Sequence, residues 1–267
     1  MRHLININKL IIGVLLTIIF CNSTYSQRNN LILKFEEQSN EFKSSYNLFI
    51  FPNISHWIEI DKPSLNEKKM NWNINYVENE NYSKKQVYKD FTNNFIYSTY
   101  QILGHNFFVK EKIENLNWVI TDSTEVVLGY SCQIAKTKFR GRSYFASFTK
   151  EIPISDGPWK FNGLPGLILK VVSGNELNEF YKMECIEIIK NKENKLPTSK
   201  NFINKNNFVS WDNFIKEVDS YLKNYIKKLK SDEETSDDGG YSIKIKLKNY
   251  KEVFHREAQS YGIMVEM

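Results

Sequence analysis

Residues 157–168 read Gly-Pro-Trp-Lys-Phe-Asn-Gly-Leu-Pro-Gly-Leu-Ile. Glycine and proline set among large apolar side chains are unsuited to a helix and favour a fixed turn with buried flanks. Leu164-Pro165-Gly166-Leu167 predicts a type II turn, because proline fixes φ at the second position and glycine supplies a positive φ at the third. We therefore expect a rigid corner that feeds a buried strand. The alternative is an exposed loop that presents Trp159 and Phe161 to a ligand or partner.

The segments around this corner predict short consecutive strands. Apolar and polar residues alternate along most of them, and turn residues separate them, for example Gly141 between 138 and 150. Strands that follow each other without intervening helices imply an antiparallel sheet. We expect an α+β fold, mainly antiparallel β, with a curved sheet or partial barrel in one domain over 27–267, whose most distinctive part is 118–172.

One long helix is expected near 210–230. Ser210 can accept hydrogen bonds from the first turn, and apolar residues then recur at helical spacing from Trp211 to Leu229. Such a stripe predicts an amphipathic helix packed on the sheet, although a membrane-surface helix has the same pattern. An acidic connecting loop is expected over 231–240, without the ligand spacing of a calcium site.

The N-terminus has the pattern of a secretory signal peptide over 1–26. Arg2 and Lys9 precede an apolar run, Leu10 to Phe20, and small polar residues follow it, so cleavage is expected after Ser26. The run is shorter than the ~20 residues that a membrane-spanning helix needs. The alternatives are an uncleaved anchor and a lipoprotein modified at Cys21. The sequence thus predicts export to the periplasm or the cell exterior.

The overall composition limits the classes of partner. The formal net charge is only +5, two of the basic residues lie in the expected signal peptide, and no basic stripe suggests nucleic acid. Hydrophobic residues make up 41% of the chain, which suffices for a core. No second apolar run reaches membrane length, and no cofactor-binding motif occurs.

Two cysteines follow the expected signal peptide, Cys132 and Cys185. An oxidising compartment allows them to form a disulfide. Both lie in apolar, strand-like segments, which equally favours two buried free thiols.

Few residues suggest chemistry. His56, His105 and His255 lie far apart in the sequence, so no metal site is expected. Arg140 and Arg142 flank a tight turn and could hold a carboxylate or phosphate, or pair with surface acids. A hydrolase is conceivable only if residues such as His56, His105 or Cys132 converge in three dimensions.

The blocks Val127–Ala135, Phe139–Ala146, Glu151–Ile154 and 157–168, in this order and spacing, resemble the GLPGLI or Porph_ging family of exported Bacteroidota proteins. After Ala146 that family usually has tryptophan and tyrosine, whereas Ser147 and Phe148 stand here. The resemblance implies a β-rich envelope protein and supplies no catalytic residues. A weaker resemblance links the fold to lipoprotein-carrier domains.

Asp122-Ser123-Thr124 is similar to a short O-glycosylation signal of such exported proteins, with Ser123 as the acceptor. For function, we expect a non-enzymatic envelope protein that binds an apolar ligand or another envelope component. The alternatives are the hydrolase above and a structural or accessory protein.

Overall fold

The computed structural model describes residues 30–39, 42–60, 64–65, 84–102, 105–173, 181–191, 202–204, 206–233, 243–246 and 262–265. The expected signal peptide 1–26, His255 and the part of the acidic loop from 234 to 240 lie outside these residues.

The described chain consists mostly of strands. These are β1 (Leu31–Ser39), β2 (Phe42–Ile50), β3 (Ile54–Glu59), β4 (Ser64–Leu65), β5 (Gln86–Asp90), β6 (Phe95–Ile102), β7 (His105–Lys112), β8 (Val119–Val127), β9 (Tyr130–Phe139), β10 (Arg142–Thr149), β11 (Leu167–Ser173), β12 (Tyr181–Lys190), β13 (Ile243–Lys246) and β14 (Gly262–Val265). The helix α1 (Trp211–Glu233) precedes the last two.

Eleven strands form one open sheet in the order β7-β6-β5-β3-β2-β1-β12-β11-β10-β9-β8. Strand β4 pairs with β2, and β13 pairs with β14 in a separate sheet. All pairs of neighbouring strands are antiparallel. The mainly antiparallel β fold predicted from the sequence is therefore confirmed.

Strand β1 lies in the middle of this sheet, and the strands that follow it in sequence fill first one half of the sheet and then the other. From β1 the chain moves outward to β7, crosses to β8 at the opposite end, and returns to pair β12 with β1. Residues 113–118 make the crossing, and a connection of this length spans at most about 25 Å. A flat sheet of eleven strands would separate its outer strands by about 48 Å, at ~4.8 Å per strand.

The main core lies on one face of the sheet. Alternate residues of β1, beginning with Leu31, Leu33 and Phe35, are buried there, as the two-residue period of a strand requires. We use the name main core for the buried apolar residues of this face together with those of the 157–168 segment, namely Trp159, Phe161, Leu164, Leu167 and Ile168.

A second, smaller apolar cluster lies under α1. This helix cluster consists of Ile102, Phe107, Val109, Phe214, Val218 and Leu222, so the apolar face of α1 packs on the β6–β7 end of the sheet. The sequence predicts a helix packed on the sheet, and α1 packs on one end of it. The segment 157–168 already occupies the main core, which leaves the helix one end of the sheet to cover.

The turn around Pro165 also differs from the prediction. Gly166 N donates to Leu164 O at 2.8 Å, which closes a three-residue turn instead of a type II turn. In this segment the positive glycine φ is at Gly163, at 90°. Gly166 is required for another reason: a Cβ there would lie 2.2 Å from the carbonyl oxygen of Thr149.

Candidate functional site

A buried lysine fixes the 157–168 segment inside the sheet. Lys89 of β5 is fully buried, and its Nζ donates to Asp156 Oδ1, to Gly157 O at 2.7 Å and to Phe161 O at 3.3 Å. Burial lowers the pKa of Lys89, and the Asp156 carboxylate opposes that effect. All three ammonium donors are used, so the lysine ties Asp156 and two carbonyls of the segment to one strand.

The aromatic residues of the segment point into the main core. Trp159 is 4% exposed and Phe161 is fully buried. Phe161 packs edge-on against Tyr144, with ring centroids 4.8 Å apart, and Trp159 packs against Phe139 at 5.7 Å. The alternative of an exposed loop, in which Trp159 and Phe161 contact a ligand or partner, does not agree with this arrangement, because both rings contact the core instead of solvent.

Between these two rings, the Lys160 side chain reaches toward β7 instead of the main core. Its Nζ pairs with Glu111 Oε1, and Glu111 Oε2 pairs with Arg140 Nη2. Arg140 also contacts Glu114 at 3.1 Å. The side chains of Lys160 and Glu111 are 1% and 7% exposed, so the pair is shielded from water and salt. One carboxylate thus joins the 157–168 segment, β7 and the β9–β10 turn.

Arg140 occupies an unusual backbone conformation for its size. Its φ is 49° and that of Gly141 is 77°, the two positive values of a two-residue hairpin turn. Such turns favour asparagine or glycine at the first position. The arginine gains contacts that neither could make, because its guanidinium lies 3.4 Å from the ring centroid of Trp211 and pairs with Glu111.

Aromatic rings surround the Lys160 ammonium. The ring centroids of Trp211, Tyr100 and Trp159 lie 5.0, 5.2 and 5.4 Å from Nζ. Lys160 Nζ also donates to the Tyr100 hydroxyl. Rings at this range stabilise a buried cation through their negative faces. The N-terminus of α1 is therefore held to the sheet by two cations, Arg140 and Lys160, that face Trp211.

A groove of about 570 Å³ opens beside this cluster, between the end of β7 and the start of α1. Its aromatic part comes from Phe95, Phe208 and Trp211. Its charged part combines both signs and consists of Lys110, Glu111, Lys112, Glu114, Arg140 and Asp212. The volume falls in the range of small-molecule sites, about 300–1,000 Å³. We call it the β7 groove.

The turn pattern indicates Arg140 as a candidate residue but does not indicate its partners. Lys160 stood in the quoted motif, yet a lysine between two aromatic residues gives no signal of burial. Glu111 lies in a charged strand end, Lys-Glu-Lys, that is typical of a solvated edge. Arg142 is half-buried on β10, opposite Phe139, and does not line the β7 groove.

The two thiols are free and buried. Cys132 lies on β9 and Cys185 on β12, three strand positions apart, which corresponds to about 14 Å along the sheet. A disulfide requires Cα atoms within about 7 Å. Burial raises the pKa of Cys132 and raises that of Cys185 to about 12, so neither thiol has the low pKa of a nucleophile.

The histidines considered for hydrolysis have packing roles in the described part of the chain. His56 is buried, pairs with Gln86 Oε1 at 2.9 Å and stacks near Phe202. His105 stacks on Tyr221 of α1 at 5.0 Å. No group of three metal-ligating side chains occurs among the described residues. None of these contacts joins His56, His105 and Cys132.

Ser147, on β10, belongs to a small polar network. Ser147 is buried and donates to Glu125 Oε1, and Lys170 Nζ lies 2.6 Å from Glu125 Oε2. Partial burial raises the pKa of Glu125, but the hydrogen bonds from Lys170 and Ser147 outweigh it and hold the pKa below its usual value. Ser123 lies exposed on β8, where the register with β9 shifts.

Comparison with known families supports the family predicted from the motifs. Residues 140–170 match the family model Porph_ging, which is described as a protein of unknown function. The matched residues cover β10, the Lys89-bound segment and most of β11, and they include both Arg140 and Lys160. No curated protein matches the chain.

Several solved structures are similar to this chain at low identity. PNGF-II in space group C2 has 14% identity and a TM-score of 0.45, with 68% of this chain and 31% of that chain covered. MucB in complex with MucA(peri) has 9% identity and a TM-score of 0.35, with 66% and 54% covered. The MucA/MucB complex of Pseudomonas aeruginosa has 8% identity and a TM-score of 0.36, with 66% and 55% covered.

This chain therefore spans about a third of the length of PNGF-II and about half that of MucB. At these TM-scores the likeness supports no inference about activity or partners. Among the described residues, no helix combines the length and apolar character needed to span a bilayer.

Proposed function

We propose that this protein is an exported, non-enzymatic binding protein of the bacterial envelope, and that it holds an apolar ligand in the β7 groove. The observation that carries the proposal is the groove itself, in which three aromatic side chains line a volume of about 570 Å³ between lysines and acids. The three aromatic rings can hold the apolar part of a ligand, and the six charged residues of the lining can hold its polar groups.

The fold supplies a rigid frame for this site. The short connection 113–118 supports a strongly curved sheet, or partial barrel, that brings β7 close to the β9–β10 turn. The contacts of Arg140 with Glu111 and Glu114 bridge these two parts. In this arrangement α1 covers one end of the curved sheet and its first turn forms a wall of the groove.

The location is proposed from the N-terminal pattern alone. A signal peptide over 1–26 with cleavage after Ser26 would deliver the protein to the periplasm or beyond. N-terminal sequencing of protein from the native host should begin at Gln27. A protein that begins at Met1, or at a lipid-modified Cys21, would contradict this part of the proposal.

Glycosylation at Ser123 is proposed on the same basis. The residue is exposed, so the hydroxyl is accessible. The intact mass of protein from its native host should exceed the mass of the unmodified chain by a whole number of sugar units, and the increment should vanish in Ser123→Ala. An unmodified mass would remove this proposal.

Ligand binding is tested first with a simple probe, 1-anilinonaphthalene-8-sulfonate, which combines aromatic rings with one negative charge. The wild-type protein should give saturable fluorescence, because the rings can pack on Phe95 and Trp211 beside Lys110 and Lys112. Phe95→Ala should weaken binding about tenfold, equivalent to about 1.4 kcal/mol.

Phe145→Ala is the matched control. Phe145 is 47% exposed on β10, away from the groove, so its removal should leave probe affinity unchanged. The proposal fails if the wild type shows no saturable signal, or if both variants weaken binding equally. Native mass spectrometry of protein from its host should then show a bound small molecule in the wild type and a lower occupancy in Phe95→Ala.

A further inference from the structure

The two ends of the sheet differ in whether the chain itself closes them. At β7 the outer side is occupied, since Lys110 N donates to Val209 O at 2.8 Å and Val209 N donates to Phe108 O at 2.9 Å. At the other end β8 pairs with β9 on one side only. Within the described ranges, no strand pairs with the outer side of β8.

The hairpin geometry shows which main-chain groups face outward on β8. Leu128 and Gly129 have φ of 51° and 81°, as in a two-residue turn, and Val127 faces Tyr130 across it. In such a hairpin Val127 and Glu125 bond to β9, whereas Thr124 and Val126 direct N–H and C=O away from it. Ser131, which lies opposite Val126 on β9, supports this alternation of inward and outward groups. Its amide donates to the Glu151 side chain and not to β8.

The side chains of this edge lack the usual protection against pairing. Exposed sheet edges are commonly blunted by lysine or proline, yet residues 119–128 contain neither of these and no arginine. Val126 is 72% exposed and Leu128 is 44% exposed. A register shift between Ile120 and Thr124 confines the regular open stretch to 124–127.

Leu128 adds an independent observation. A leucine at positive φ is sterically unfavourable, and this turn position favours asparagine or glycine. Unlike Arg140 at the equivalent position of the next hairpin, Leu128 leaves a large part of its side chain in solvent. The exposed part of Leu128 is thus available for an apolar contact with another molecule.

We propose that the outer side of β8 is a strand-addition site for an extended segment of another protein. Thr124 and Val126 offer up to four main-chain hydrogen bonds, and Val126 and Leu128 offer apolar contact. Glu125 is already paired with Lys170, so the exposed carboxylate of Asp122 is the charge of this strand that a partner can meet. The added segment is therefore expected to carry β-branched residues flanked by lysine or arginine. A second copy of β8 fits less well, because residues 119–128 contain no lysine or arginine that could pair with Asp122.

The test uses labelled synthetic peptides, Lys-Val-Thr-Val-Thr-Val-Lys and the same sequence flanked by glutamate, with binding followed by fluorescence anisotropy. The lysine-flanked peptide should bind more tightly, and added salt should reduce the difference. Val126→Pro removes one outward donor while the β8–β9 ladder stays intact, because the Val126 amide is not part of that ladder. It should bind the peptide at least tenfold more weakly than wild type.

Two further variants separate binding from folding. Val126→Thr keeps the amide and strand preference, so it should lose less affinity than Val126→Pro. Leu128→Asn should raise the melting temperature, since asparagine suits the turn, and should still weaken peptide binding. Equal binding by wild type and Val126→Pro, or binding of neither peptide by the wild type, overturns the proposal. A concentration-dependent dimer that Val126→Pro abolishes would make the occupant a second copy and overturn the assignment to another protein. Probe binding in the β7 groove is unaffected in each case.

Discussion

The main core and the helix cluster bury apolar side chains in different ways. In the main core, the glycine- and proline-rich segment 157–168 fits into the sheet, and Lys89 and Lys160 hold it at defined atoms. In the helix cluster, α1 contributes Phe214, Val218 and Leu222 to the β6–β7 end of the sheet. The comparison shows that the family motif supplies the interior of the fold, whereas the most regular apolar pattern in the sequence supplies a peripheral contact.

The largest effect is expected from Gly166→Ala in the main core. Its Cβ would lie 2.2 Å from the carbonyl oxygen of Thr149, which is backbone that cannot move without disturbing β10. We expect a loss of at least about 3 kcal/mol of unfolding free energy, measured by chemical denaturation. Gly129→Ala is the control, since its Cβ would meet open space and only its φ of 81° is strained, at about 1 kcal/mol. Equal losses would show that close packing around Gly166 is unimportant.

A second test removes the lysine that holds the segment. Lys89→Met leaves the Asp156 carboxylate buried without its cation, and breaking such a pair costs about 3–5 kcal/mol. The double variant Lys89→Met/Asp156→Leu should cost less than the sum of the two single variants, with a coupling of about 0.5–3 kcal/mol. Denaturant titration of all four proteins measures this coupling. Strict additivity would contradict the contact.

A smaller and more local effect is expected in the helix cluster. Phe214→Ala removes a fully buried ring, at a cost near the lower end of the usual 3–5 kcal/mol. Because the apolar face of α1 packs on one end of the sheet, we expect its amides to lose protection against hydrogen exchange while those of 157–168 keep theirs. An equal loss of protection in both segments would show that the two clusters unfold as one unit.

The smallest effect is the pH dependence of the main core through Cys185. Burial raises its pKa from 9.0 to about 12, so its contribution to stability is complete below pH 9. Between pH 9 and 12 the unfolded chain loses the thiol proton and the folded protein keeps it. Stability should therefore fall by about 1.4 kcal/mol per pH unit relative to Cys185→Ala, as denaturation at pH 8 and pH 10 would show. Parallel pH profiles of the two proteins would contradict the burial of this thiol.

The sequence predicts the β-rich fold well because two-residue alternation and turn residues are local signals. It also indicates that 157–168 is a rigid, buried corner. It does not predict that Lys89, Glu111 and Lys160 are buried, since lysine or glutamate in a strand is typical of a solvent-exposed face. These side chains are buried because each pairs with an opposite charge from a distant part of the chain. The role of Gly166 is missed for a related reason: the carbonyl of Thr149 that it contacts is seventeen residues away.

The groove and the open edge follow from three-dimensional arrangement in the same way. The tight turn around Gly141 indicates Arg140 as a possible binding residue. The sequence indicates Trp211, which Arg140 contacts, only as the first apolar residue of a helix. The β8 edge has no sequence motif, because it becomes an edge only through the crossing of 113–118 from one end of the sheet to the other.

Hydrogen exchange of the wild-type protein, followed by mass spectrometry, compares the two regions most directly. We expect the amides of 159–168 to exchange only through global unfolding, and those of α1 to exchange faster through local opening at the β6–β7 end. Rapid exchange of 159–168, or protection of α1 that exceeds it, would contradict the conclusion that the family motif forms the interior of this protein.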